Sequence, residues 1–460
     1  MERSAIEQAA ALAGLQLAPE ADVSIAGSDP VLASRFHLGE GAATALALVG
    51  QEADRIWQAR GGRPQTISAD VRHAAASLHS FMLVRLKEGV PPLDQRPGRQ
   101  VTAIFPCRDG RYIHLHSSFD HAPGILAELG LGLDATPAEI AAATAMRDAF
   151  ELEDALAAKG LCAAACRTND EWLAHQQGAL LATRPVIELT RIGDAPPEPL
   201  AEGPRPLSGV RVLDLTRVLA APTCARTLAE HGADVLHIAS PKLPTIDLFE
   251  MDTGHGKRQA WLDLNEPAGA ETLRELSRGA DVFSQGFQLG SLARRGFGPE
   301  DVARLRPGIV YVSENAFGHA GPWAGRPGWE QLAQAATGVC VVNGGEGTPA
   351  IAPAAMNDYT TGYFAALGAM MALRRRALEG GSWLVTVSLS RTSMWFQRLG
   401  HELDPAAACG IGDPAALSET RETGYGTMTF LRPALQMSET APRWELPAAP
   451  LGSGEAAWAR

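Results

Sequence analysis

Hydrophobic and polar positions alternate most legibly in the second half of the chain. GVRVLDL (209–215) is a short β-branched run. The Ala/Leu-rich stretch after it, with Pro222 near its first turn and Gly232 as a stop, predicts a helix ending at His231. ADVLHIA (233–239) predicts the next strand. A helix over 267–278 leads to ADVFSQ (280–285), another helical stretch leads to GIVYVSEN (308–315), and a helix over 362–378 leads to WLVTVSL (383–389). Strands alternating with helices predict an α/β protein with a Rossmann-like, doubly wound parallel sheet.

The first half is less regular but carries an echo of the second. Gly41–Arg60 reads as a helix followed by Gly61-Gly62 and PQTISADV. Gly362–Leu378 reads as a helix followed by Gly380-Gly381 and WLVTVSLS. With a gap of two residues the segments superpose, a weak partial repeat in which His37 stands where Asp358 does. DGRYIHLHSS (109–118) predicts a hairpin turn into a strand, and 134–182 reads as mainly helical. Five prolines in DAPPEPLAEGPRPLS (194–208) suit an extended linker. The expected organisation is an N-terminal segment 1–100 packing with the large domain, a smaller α/β domain over 101–193, the linker, a Rossmann-like domain over 209–400, and a C-terminal segment 401–460.

Composition narrows the function classes. A hydrophobic fraction of 46% with 20% charged residues is that of a folded globular protein. A formal net charge of −12 disfavours nucleic acid as a partner. Cys107, Cys162, Cys166, Cys224, Cys340 and Cys409 show no C-x-x-C spacing, so neither a disulfide framework, a zinc site nor any other metal centre is expected. Cys162 and Cys166 sit in an Ala-rich stretch that reads as helical. The N-terminus, with Glu2, Glu7 and Glu20, lacks the pattern of a signal peptide, and there is no apolar run of about 18 residues. The expectation is a cytoplasmic protein without a membrane partner. Phosphate-loop, H-E-x-x-H and G-x-S-x-G motifs are absent from the sequence.

Asp358, in NDYTTGYFAAL, admits two readings from local sequence. Its oxygen suits an N-cap before an Ala-rich helix, and a carboxylate near a helix start also suits a nucleophile. Five segments bear on the choice: LSGVRVLDLTRVLAAPTCARTLAEHGADVLHI (207–238), GKRQAWLDLNEPAG (256–269), ADVFSQGFQLGSLARRGFGPEDV (280–302), RPGIVYVSENAFGHAGPWAGRPGWEQLAQAATG (306–338) and AAMNDYTTGYFAALGAMMALRRR (354–376). In this order they resemble the class III CoA-transferases, the family of formyl-CoA transferase, carnitine CoA-transferase and α-methylacyl-CoA racemase.

The resemblance implies a CoA-transferase with Asp358 as nucleophile. It implies substrate contacts from Trp329, Glu330 and Gln334, and CoA contacts from Arg217, Val218, Lys257, Arg258, Phe287, Arg294 and Arg295. Gly344, Gly345 and Gly347 could stabilise an oxyanion or form an ordinary loop. Acyl-CoA and a small carboxylic acid are the implied partners, with no permanently bound cofactor and a homodimer as the default assembly. The chain departs from the family at Ala239-Ser240-Pro241, at Leu219 and at Trp329-Glu330, where the racemase has a His-Asp pair. His255 and His319 are the nearby histidines that could replace it. The order also departs: residues 30–80 resemble the region that follows the nucleophile and 101–190 the small domain, so the chain resembles the back half of one transferase joined to the front half of another. A CoA-ester racemase, dehydratase or lyase, and a non-catalytic acyl-CoA-binding protein, stand as alternatives.

Overall fold

A computed structural model describes residues 1–93, 96–117 and 119–459. Ser118, the last residue of the expected hairpin strand, lies outside them. The centre is a seven-stranded sheet. Its spatial order is Lys257–Trp261, Asp234–Ala239, Arg211–Leu215, Val282–Gln285, Val310–Asn315, Ser382–Ser388 and Glu188–Gly193. The first six run parallel in the sequence order third, second, first, fourth, fifth, sixth, so the order reverses between Arg211–Leu215 and Val282–Gln285. The doubly wound expectation holds: these strands are buried on both faces and carry apolar runs, with buried polar residues such as Asp214, Gln285 and Glu314 toward their C-terminal ends.

Two strands differ from the sequence expectation. Lys257–Trp261 forms an edge strand although KRQAW carries little β signal. Glu188–Gly193 pairs antiparallel with Ser382–Ser388. The stretch 101–193 is therefore not one unit: its last strand belongs to the large sheet. The rest builds a small α/β layer, with strands Ala103–Pro106, Tyr112–Leu115 and Ala163–Ala165 under helices such as Ala122–Glu128 and Ala149–Ala158. The Ala-rich stretch between Cys162 and Cys166 is thus a strand. Its pairing with Tyr112–Leu115 overrides the helix propensity of alanine. Both thiols are buried.

The echo is a structural repeat. In the large domain, helix Met356–Glu379 leads to strand Ser382–Ser388 and helix Leu389–Leu399, which Ser388 caps. In the first half, helix Leu38–Ala59 leads to strand Ile67–Asp70 and helix Val71–Ser77, which Asp70 caps. Ser382–Ser388 lies between a parallel neighbour, Val310–Asn315, and the antiparallel Glu188–Gly193. Ile67–Asp70 likewise lies between the parallel Val23–Ala26 and the antiparallel Leu435–Met437. Each half lends its last strand to the sheet of the other. The two long helices pack together in one continuous core. The first half has no counterpart of 316–355: only 11 residues separate strand Val23–Ala26 from its long helix.

Candidate active site

Asp358 is the third residue of helix Met356–Glu379, whose N-cap is Ala355. The cap reading is therefore excluded, since an N-cap lies outside the helix. Among the described residues its carboxyl takes no hydrogen bond, and only 9% of the residue is exposed. It faces a cavity of about 860 Å³. The helix can lie this deep because Gly362 lets it approach helix Ala220–Glu230. A Cβ at 362 would fall 2.5 Å from the Ala220 carbonyl oxygen.

Side chains from the first half hold the start of this helix. The Tyr359 hydroxyl donates to Asp252 Oδ2 at 2.8 Å and accepts the Phe81 N–H at 3.3 Å. The Ser80 hydroxyl donates to the same Asp252 oxygen at 2.9 Å, and Arg226 pairs with Asp252 Oδ1 at 2.9 Å. The Ala355 N–H donates to Leu78 O, and Tyr363 donates to Ser77 Oγ. These contacts join segments hundreds of residues apart.

The electrostatics of the site are dominated by acids. Burial pushes Glu330 up to about 7 and Glu314 up to about 8. Asp358 is held well above the usual carboxylate range, first by burial and then by the neighbouring charges of Glu330 and Glu314. Glu330 is held by Gln334 Nε2 at 2.7 Å and by the Asn357 N–H at 3.2 Å. The first ionisation of this group therefore opposes the second. Asp358 is expected to ionise above the usual carboxylate range, and Glu330→Gln to move that ionisation to lower pH by removing one like charge. Infrared difference titration of the carboxyl bands of wild type and variant measures it; an unmoved or upward-moved titration would refute the coupling.

The other sequence candidates separate by position. Trp329, Glu330 and Val218 line the cavity with Asp358. Gln334 does not. It is fully buried and bridges Glu330 to the Ala352 N–H, so it positions the wall and cannot touch substrate. Val218 has φ 73°, a strained value for a β-branched residue, which turns the chain sharply after strand Arg211–Leu215. Arg217 and Phe287 follow the two strands between which the sheet order reverses, and both line a small cleft there, the place where doubly wound sheets take ligands.

The remaining cations are placed differently. Lys257 is a correction. It is buried, pairs with Asp214 at 2.8 Å and donates to Pro222 O, so it cannot reach a phosphate. Arg258 is engaged bidentately by Asp234 on the sheet edge, and Arg295 donates to Leu264 O and Asn265. Arg294 is exposed on a 3₁₀ turn. Gly344, Gly345 and Gly347 do not line the cavity, and the amides of Gly345 and Gly347 close local turns. They form the ordinary loop. His255 is stacked in the core between Phe430 and Trp444, and His319 bonds Ser313; neither lines the cavity. His37, opposite Asp358 in the repeat, bridges Glu40 at 2.7 Å and Glu402 at 3.0 Å. The Glu40 hydrogen bond raises it to about 9, which makes it a structural cation.

Sequence reasoning missed the opposite wall. Phe81, Arg96, His116 and Phe119 of the first half line the cavity. The Phe119 ring has the guanidinium carbon of Arg96 4.3 Å and that of Arg217 4.5 Å from its centroid, and it contacts Trp329. His116 stacks on Trp329. HLHSSF offers an aromatic and histidine cluster at a strand end as a local signal, but its partner lies some 210 residues away, which only the tertiary fold reveals.

Comparison with known proteins is consistent with this geometry. Residues 207–401 match CoA-transferase family III. The chain is 31% identical over 386 residues to an acetyl-coenzyme A transferase of Hypoxylon pulicicidum, covering 74% of this chain and 65% of that one. It is 35% identical over 323 residues to an acyl-CoA transferase of Gibberella moniliformis, covering 64% and 56%. The chain thus spans less than two thirds of the length of these curated relatives. Among solved structures, a CAIB/BAIF family protein from Brucella suis is 26% identical with a TM-score of 0.39, covering 49% of this chain and 65% of that one. No helix among the described residues is long and apolar enough to cross a membrane.

Proposed function

Because residues 207–401 match CoA-transferase family III, we propose that the chain moves CoA from an acyl-CoA thioester to a free carboxylic acid, with Asp358 as the acyl acceptor. The observation that carries this reading is the Asp358 carboxyl. It takes no hydrogen bond among the described residues, and it faces a cavity closed by both halves of the chain.

An Asp358 oxygen attacks the donor thioester carbonyl. The C–S bond breaks, and a mixed anhydride and CoA thiolate result. The thiolate attacks the aspartyl carbonyl, the anhydride C–O bond breaks, and the donor acid leaves as a carboxylate. The aspartyl-CoA thioester then meets the acceptor carboxylate, which displaces thiolate to give a second anhydride. Thiolate attack on the acceptor acyl carbon releases the new acyl-CoA and restores Asp358. No proton is gained or lost overall, and no step needs a metal or oxidant. Dividing one transfer into steps of similar energy is the contribution of covalent catalysis.

In this reading the CoA nucleotide lies over the strand ends that carry Arg217 and Phe287, and its thiol end passes Val218 to Asp358. Trp329 and Glu330 wall the reacting centre. The reading is tested by incubating the protein with a panel of acyl-CoAs, trapping with hydroxylamine and mapping the adduct by mass spectrometry. A hydroxamate on Asp358 is expected. Tight CoA binding with no adduct from any donor would support a non-catalytic acyl-CoA-binding protein instead. Exchange of an α-hydrogen without acyl exchange would support a racemase.

A further inference from the structure

We propose that the acyl subsite beside Asp358 is built for a monocarboxylic acid with a bulky, ring-bearing apolar body, and not for a short dicarboxylic acid. This rests on Asp358 being the acyl acceptor.

The cavity is divided by chemistry. Arg96 and Arg99 come from one turn, and Arg96 shares the Phe119 ring with Arg217, which also lines the cleft at the sheet switch point. This cationic end leads toward the place assigned to the CoA nucleotide. The same lining carries the apolar side chains Phe81, Met82, Leu93, Leu219, Ile246 and Phe249. His79, which also lines the cavity, is depressed toward the neutral form by burial. Phe81 and Phe249 meet edge to face, with centroids 5.0 Å apart and planes at 83°, and so present the arrangement that accepts a further ring. The chamber begins at the nucleophile, because the Phe81 N–H bonds the hydroxyl of Tyr359, the residue after Asp358.

A second carboxylate is poorly served here. Against Phe81, Leu219, Ile246 and Phe249 it would lie without a hydrogen bond or counter-charge, and toward Arg96 and Arg99 it would compete with the phosphates assigned to that side. Nearer Asp358 it would meet Glu330 and Glu314, the acids that already raise the nucleophile. The volume of about 860 Å³, shared with the thiol end of CoA, leaves room for an acyl group larger than a two-carbon acid. Donor and acceptor acids occupy the subsite in turn, so one of the two exchanged acids is the bulky one.

The test offers acetyl-, formyl- and succinyl-CoA as donors to phenylacetate, cyclohexanecarboxylate, acetate, succinate and oxalate, and follows each new CoA ester by mass spectrometry. The ring acids are expected to exceed succinate and oxalate in kcat/KM by at least about tenfold. Phe249→Ala is expected to lower kcat/KM for phenylacetate relative to acetate by about tenfold. Met82→Glu, at a residue 49% exposed and so of little consequence for folding, is expected to act in the same direction. Preference for succinate or oxalate, or ratios unmoved in both variants, would overturn this inference and leave the CoA-transferase reading standing. No new ester with any acid would overturn both.

Discussion

Asp358→Asn is expected to lower CoA transfer by at least about three orders of magnitude and, at the same time, to make the protein more stable at neutral and alkaline pH. The first effect follows from the role proposed for Asp358 as acyl acceptor, since an amide cannot form the anhydride. The second follows from linkage. The ordinary value of the carboxyl is 3.8, and in the folded protein it lies well above that because burial and two neighbouring acids oppose its charge. Between the two values the folded state binds more protons than the unfolded state, so stability falls as pH rises. Glu330, moved from 4.5 to about 7, and Glu314, moved from 4.5 to about 8, act in the same sense. Their contribution is fully present in acid and is lost as pH climbs through these folded values. The wild-type melting temperature should therefore decline from about pH 5 to about pH 8 more steeply than that of Asp358→Asn. Scanning calorimetry across this range measures the difference. Equal slopes, or a variant less stable than wild type at pH 8, would contradict the assignment of Asp358 as a buried, opposed carboxyl.

Lys257→Met should destabilise the protein by about 3–5 kcal/mol, the range for breaking one partner out of a buried ion pair. Lys257 on the edge strand reaches past the middle strand to Asp214 on the first strand. Both side chains are at most 1% exposed. Asp214 also accepts the hydroxyl and N–H of Thr216, which hold it in its charged geometry. Removing the ammonium leaves that charge buried without a counter-ion. The loss appears as a melting temperature lower by several degrees, with acyl-CoA affinity unchanged in the protein that remains folded. A variant that melts with wild type but binds CoA at least about tenfold more weakly would restore Lys257 to the phosphate site. Lysine in a sequence resembling a CoA-binding segment does not distinguish these roles. Burial does.

Leu, Val and Ile runs in GVRVLDL, ADVLHIA and GIVYVSEN made the parallel strands readable because strands covered on both faces are mostly apolar. Lys257–Trp261 was not readable for the opposite reason. An edge strand carries polar residues, and its membership is decided by the neighbour it pairs with. The same holds for Ala163–Ala165, whose composition favours helix. Within the site, Asp358, Trp329 and Glu330 were legible because they lie in segments with a family pattern. Gln334 and Lys257 lie in such segments too, yet the fold turns them inward to hold Glu330 and Asp214.

The chain by itself determined the α/β class, the repeat of helix, Gly-Gly and strand, and the identity of one aspartate with no equivalent in the first copy. These are carried by local periodicity and by residue type, which need no knowledge of distant neighbours. The tertiary structure alone decided that the halves exchange their last strands, that Phe81, Arg96 and Phe119 of the first copy wall the site of the second, and that three carboxyls share one buried region. The physical reason is contact range. Burial, charge coupling and ring stacking act over a few ångströms, and here they act between residues up to about 280 positions apart.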